Sequence, residues 1–216
     1  MNVFKRLLIP VLRRTAQGHL LYGRRHRALA IFEKLNKWSP TPDNQFSLAL
    51  CHMNLCEYEQ AIELLEPIHK MIPDQLFAGI TYAQSLVLAK RFEDAKEVYY
   101  NLLQSNPDNN LLKKLYDLAQ DPIGRDKFAI SLDLQFQASL LEEENSPTEA
   151  LDLLNTAVGL TPDDAALHNN IGALKLKMKF PATEVMRDFA RAMQINPDND
   201  RYKRNYRKVW QKIKKK

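Results

Sequence analysis

Glycine is scarce in this chain, six residues in 216, and cysteine scarcer still, with two. So few glycines leave few backbone positions for tight hairpins and strands, and none sits in a phosphate-cradling loop of either common type. Cys51 and Cys56 lie five apart on one predicted helix, so they point in different directions and cannot pair with each other. They read as small buried residues of a reducing compartment. No apolar run approaches 18 residues, which excludes a membrane-spanning helix. The start, MNVFKRLLIPVLRR, has an apolar run of only six, LLIPVL, interrupted by Pro10 and closed by Arg13 and Arg14. A secretory signal needs a longer run, so the expected location is the cytoplasm. HExxH and paired CxxC motifs are missing. His52 and Cys56, four apart on a predicted helix, have no further ligands to complete a metal site, and His19, His26, His69 and His168 belong to different segments. The expectation is a protein that is not an enzyme, with no cofactor, no metal and no small-molecule substrate.

What the chain does have is periodicity. Pro40, Pro73, Pro107, Pro162 and Pro197 recur at separations of 33, 34, 55 and 35. Each is preceded by small residues at a fixed interval: Ala16, Ala49, Ala83, Ala138 and Gly172, the first four followed twelve residues later by Ala28, Ala61, Ala95 and Ala150. Methyl-sized side chains at two such points let two short antiparallel helices cross closely. Phe32, Leu65, Tyr99 and Leu154 follow four residues on, with Leu35, Ile68, Leu102 and Ala157 three further along, on one helix face. The proline then stops that second helix.

With these positions the chain resembles the tetratricopeptide-repeat family, whose 34-residue pattern of small, aromatic, small and terminal proline it follows in five registers. The resemblance implies an all-α fold, a right-handed superhelical array of antiparallel helix pairs: five repeats, an inserted helix after the third and a C-terminal capping helix. The segments are 9–41, 42–75, 76–109, 131–164 and 165–199. As domains these give a basic apolar head at 1–8, three repeats plus the extra helix over 9–121, two repeats over 122–199 and a basic capping helix at 200–216. In the last repeat Val185 falls thirteen after Gly172, so one residue has entered near Phe180 and Pro181, with Pro181 opening the second helix. The 21 extra residues before Pro162 suffice for one helix and a turn. LLKKLYDLAQ over 111–120 has helical spacing, and 110–121 is expected as an unpaired helix. Asp121, Pro122 and Gly124 should break it before a long helix from about Arg125 to Glu144. Ser146, Pro147 and Glu149 read as a capping-box start for that helix's partner.

The resemblance also implies a peptide-binding groove lined by the first helix of each repeat. The matching positions are Arg13 and Gln17, then Phe46 and Leu50, then Phe77, Ile80 and Gln84, with Gln135, Ser139, Asn169 and Ala173 in the last two repeats. So apolar a middle suits an amphipathic helix or an extended apolar peptide. The other reading has Phe46 and Phe77 filling the interior between hairpins. The carboxylate clamp of some relatives is missing, because its positions offer only Arg13, Gln17, Phe46, Ser47, Leu50, Ile80, Thr81 and Gln84.

The net charge of +5 conceals polarity: residues 1–40 carry +8, residues 201–216 carry +9, and the stretch between carries −12. In the tail, Tyr202, Tyr206, Val209, Trp210 and Ile213 share one helix face that should pack on the last repeat. Arg201, Lys203, Arg204, Arg207 and Lys208 lie outside it as a solubilising cap that could also touch anionic lipid, RNA or an acidic protein. In the head, Phe4, Leu7, Leu8 and Val11 with Lys5, Arg6, Arg13 and Arg14 fit either a cap on the first repeat or a membrane interface. Glu142, Glu143 and Glu144 are a docking point for basic ends of a second copy, if not simply a solvated face. Two functions follow: a scaffold or adaptor binding another protein's peptide or helix, and a peripheral membrane- or RNA-associated protein working through its basic ends.

Overall fold

The computed structural model describes residues 3–214, with side chains from Arg6 to Gln211. It has twelve α-helices and no strand among the described residues: α1 (Val3–Leu21), α2 (Arg25–Trp38), α3 (Pro42–Asn54), α4 (Tyr58–Met71), α5 (Leu76–Leu88), α6 (Phe92–Ser105), α7 (Asn110–Gln120), α8 (Pro122–Glu143), α9 (Pro147–Leu160), α10 (Ala165–Lys177), α11 (Ala182–Ile195) and α12 (Asp200–Lys214). Two compact units divide the chain, Met1–Ala129 and Ile130–Lys216, so the division falls inside α8. The segment read as a head is the start of α1, which continues through Pro10.

Five turns of one kind join the helices of each hairpin. The chain turns left-handed at Gly23, Cys56, Lys90, Asn145 and Lys179, with φ between 60 and 70°. The next residue's N–H then reaches back to a helix carbonyl: Arg24 to His19 (2.9 Å), Glu57 to His52 (2.9 Å), Arg91 to Leu86 (2.8 Å), Ser146 to Leu141 (2.8 Å) and Phe180 to Lys175 (3.0 Å). This is the Schellman arrangement, which satisfies carbonyls the helix end would leave orphaned. It also explains why the capping box expected at Ser146 does not form. With ψ at 61° rather than extended, Ser146 makes no side-chain cap bond, although Pro147 does occupy the first helical turn.

The second helices end as the prolines require. Ser39, Ile72, Asn106, Thr161 and Asn196 each precede a proline, adopt φ between −151 and −133°, and donate their N–H to Leu35, Ile68, Leu102, Ala157 and Ala192. A residue before proline is driven out of the helical region, so the stop is steric. Side-chain oxygens accept at helix starts: Thr41 from the N–H of Asn44, Asn109 from Leu111 and Leu112, and Asp164 from Ala166 and Leu167.

The cores follow the small-residue pattern. Ala16, Ala49, Ala83, Ala138, Ala28, Ala61, Ala95 and Ala150 are all buried, as are Phe32, Leu65, Tyr99 and Leu154. In the last hairpin Phe180 is the extra turn residue and Pro181 caps α11 from just outside it. Phe189 packs so tightly against Gly172 that a Cβ there would sit 2.9 Å from its ring. Read from the sequence as a helix without a hairpin partner, α7 stacks on α6: Leu112, Leu115 and Ala119 are buried, and Tyr116 meets the Tyr100 ring at 5.7 Å. Rather than beginning near Arg125, α8 starts at Pro122, because Asp121 accepts the N–H of Ile123 and restarts the helix at once. Gly124 permits the close turn, since a Cβ would lie 2.4 Å from the Asp121 carboxylate.

Candidate functional site

In the first unit the candidate face comes from α1, α3 and α5. On α5, Ala78, Gly79, Tyr82, Ala83 and Leu86 take the buried positions, with Gly79 letting Leu102 approach to 2.8 Å of where a Cβ would stand. Phe77, second residue of the helix, is 64% exposed, while Thr81 and Ser85 further along its side are buried. The Phe77 ring meets that of Phe46 on α3, half-buried, at a centroid distance of 5.3 Å and a tilt of 55°. Such a tilted pair is held by its quadrupoles and leaves part of each face free. Leu50, Ile80 and Gln84 are half-buried around the same helices, and Gln17 is exposed. Leu111, second residue of α7 as Phe77 is second in α5, is also exposed. It was not among the positions read from the sequence, although its register 34 residues after Phe77 could have found it.

Arg13 is not available as a groove cation. Its Nη2 donates to Asn44 Oδ1 at 2.9 Å, while Asn44, fully buried, donates to the Ser39 carbonyl at 2.7 Å. The pair ties α1 to α3 and to the end of α2. Asn44 carried no sequence signal, because a buried asparagine declares itself only through its partners.

The paired His52 and Cys56 are not on one helix after all. Cys56 occupies the left-handed turn beyond the end of α3, and His52 Nδ1 is 2.7 Å from Glu57 Oε2. No group of three or more His, Cys, Asp or Glu among the described residues could hold a metal. Cys51 is buried, and burial, with Glu33 nearby, pushes its thiol up to about 12, which keeps it protonated and unreactive. Burial likewise holds His69 below its ordinary range and Tyr82 above it, the two rings lying 5.3 Å apart.

In the second unit the matching positions serve the fold. Asn169 is buried and accepts from Asn205 Nδ2 at 2.8 Å, so it fastens α12 to α10 and does not face a ligand. Gln135 donates to Asp164 at 3.3 Å and Ser139 to the Phe136 carbonyl, while Ala173 is exposed. Lys175 and Asp188 form a largely buried ion pair, 2.9 Å, between α10 and α11. Glu142, the first of the acidic run, meets Lys177 at 3.4 Å.

On α12, Tyr202 and Val209 are buried and Tyr206 half-buried against the last hairpin. Trp210, expected in that seam, is exposed instead, because it stands at the edge of the apolar arc. The side chains of Phe4, Lys5 and Ile213 lie outside those described. Arg201, Arg204, Arg207 and Lys208 are exposed; Lys203 is half-buried and 3.7 Å from Asp200. No helix is long and apolar enough to cross a membrane among the described residues.

Residues 22–102 match the family model described as anaphase-promoting complex, cyclosome, subunit 3. Protein O-mannosyl-transferase TMTC1 of Homo sapiens is 24% identical over 201 residues, 85% of this chain but only 22% of that protein, so the chain spans under a quarter of that relative. A tetratricopeptide repeat protein from Parabacteroides merdae matches 94% of this chain and 85% of its own, with a TM-score of 0.50 and 13% identity. A thermophilic TPR protein of Thermus thermophilus covers 94% and 98%, with a TM-score of 0.47 and 17% identity. Paired helices with buried alanines at fixed points, prolines closing each pair and this likeness of structure give the chain a tetratricopeptide-repeat fold.

Proposed function

We propose that this protein is a binding scaffold whose α3–α5 face takes an amphipathic helix or a short apolar peptide from another protein. The helical-repeat fold supports protein interaction in general; the observation behind the finer reading is Phe77, a large aromatic ring left mostly in solvent beside Phe46. An aromatic pair on a rigid helical face is what an apolar anchor residue of a partner can cover. Because the hairpins already fix both rings, little side-chain ordering is needed on this side of the contact. The mannosyl-transferase name belongs to a protein of which this chain matches 22%, and binding rather than catalysis is the role proposed.

A randomised peptide display selected on the full chain tests this. Selected peptides should carry spaced large apolar residues, should keep their affinity at moderate salt, and should lose at least about tenfold on Phe77→Ala or Phe46→Ala, the size of a single anchor residue. Equal binding to wild type and Phe77→Ala would sink the reading. The exposed Arg201, Arg204, Arg207 and Lys208 support the second reading, contact with an anionic surface. Its mark would be binding that falls steeply with salt and with substitution of those four residues.

A further inference from the structure

The solvent face of α1 carries a row of apolar side chains that the fold leaves uncovered. Leu7, Val11, Leu21 and Tyr22 are between 59 and 85% exposed. Leu7, Val11 and Leu21 stand at i, i+4 and i+14, and with Arg14 at i+7 and Gly18 at i+11 they form one row along the helix, with Tyr22 in the turn just past its end. The row runs roughly 22 Å at 1.5 Å per residue. It is not the packed side of the helix: Ile9, Leu12, Ala16 and Leu20 face the core formed with α2 and α3. At Gly18, midway, a Cβ would meet nothing within 4 Å, so the row is open to solvent there as well. An exposed apolar strip of this kind marks a contact surface rather than chance exposure.

Charge says what the surface contacts. Arg6 is exposed beside the start of the row, Arg14 within it, and Arg24 and Arg27 just beyond its end. No acidic residue precedes Glu33. A second copy meeting this face through a two-fold would set two +8 segments against each other, which opposes a dimer. Apolar side chains interspersed with arginines, and with a tyrosine at one end, match the boundary between headgroups and acyl chains of an anionic bilayer. There the arginine stems lie along the apolar layer while their guanidinium groups reach phosphate oxygens. We propose that α1 lays this row onto the surface of an anionic membrane, holding the protein there as a lipid-bound scaffold.

Co-sedimentation of the full chain with vesicles tests it, using pure phosphatidylcholine and a 70:30 mixture of phosphatidylcholine and phosphatidylglycerol as probes at about 0.1 M salt, where screening reaches ~10 Å. Binding is expected to the mixed vesicles and at least tenfold weaker to the neutral ones. The triple change Leu7→Ser, Val11→Ser, Tyr22→Ser should weaken it at least tenfold with the melting temperature unchanged, since all three side chains are exposed. Changing Arg204, Arg207 and Lys208 to serine on α12 should alter it less than twofold. The proposal is overturned if the mixed vesicles bind no better than the neutral ones. It is equally overturned if the serine triple leaves binding intact, if the α12 changes abolish it, or if light scattering finds a dimer that the serine triple dissociates.

Discussion

Replacing Gly172 with alanine tests how tightly the last hairpin is closed. In the other hairpins alanine holds this position, as Ala16, Ala49, Ala83 and Ala138. At residue 172 a methyl group would lie 2.9 Å from Cδ1 and Cε1 of Phe189 and 3.3 Å from Asp188 Cβ. Phe189 is buried, so its ring has no free space into which to swing. Alanine gains about 1 kcal/mol over glycine in a helix interior, while forcing a methyl into a packed core costs about 1–3 kcal/mol. The net effect is a loss of about 1 kcal/mol, which for a unit the size of Ile130–Lys216 lowers Tm by about 4–8 °C. Gly18→Ala is the control: nothing lies within 4 Å of its Cβ, so the helix gain of about 1 kcal/mol stands alone and stability rises. Thermal melts followed by far-UV circular dichroism read both changes. Adding Phe189→Leu to Gly172→Ala should recover more stability than the single changes sum to, because Leu65 and Leu154 hold the matching place in other hairpins. If Gly172→Ala stabilises as Gly18→Ala does, the close contact between α10 and α11 is not what excludes a side chain there.

Tyr99 is buried, its hydroxyl has no protein partner, and burial pushes its pKa upward, so Tyr99→Phe should leave stability unchanged or raise it by about 1 kcal/mol in urea denaturation; a loss above that would reveal a bonded hydroxyl. Lys90 holds a left-handed backbone at φ 60°. A side chain there costs about 1–2 kcal/mol against about 0.5–1 for the extra freedom of unfolded glycine, so Lys90→Gly should stabilise by about 0.5–1 kcal/mol. His69 has its pKa lowered by burial, so above its ordinary value of 6.5 both states are neutral and stability is flat; as pH falls through that value the unfolded chain takes up the proton first and stability drops. Urea midpoints between about pH 8 and 5 should show that fall, and His69→Gln should flatten it.

The hairpins were legible because their signals are steric. An alanine at a helix crossing and a proline after a helix act within a few residues of themselves, so Ala49, Ala61 and Pro73 could be read without knowing any neighbour. What escaped depended on distant partners. Asn169 reads as a polar groove residue until α12 supplies Asn205, and Arg13 reads as a free cation until α3 supplies Asn44. The capping box at Ser146 failed for a local reason: the turn geometry imposed by Asn145 rotates ψ to 61° and takes the hydroxyl off the helix end. Spacing alone also left the place of Phe77 open, since an aromatic near the start of a helix fits both a seam and a surface.

Because α8 runs as one helix of 22 residues through the boundary at Ala129, no clean cutting point exists there. Severing the peptide there would strip donors from one piece and acceptors from the other in mid-helix. Independent expression of the halves therefore calls for overlapping fragments, each retaining all 22 residues of that helix, and a protease that nicks between Ala129 and Ile130 should disable both.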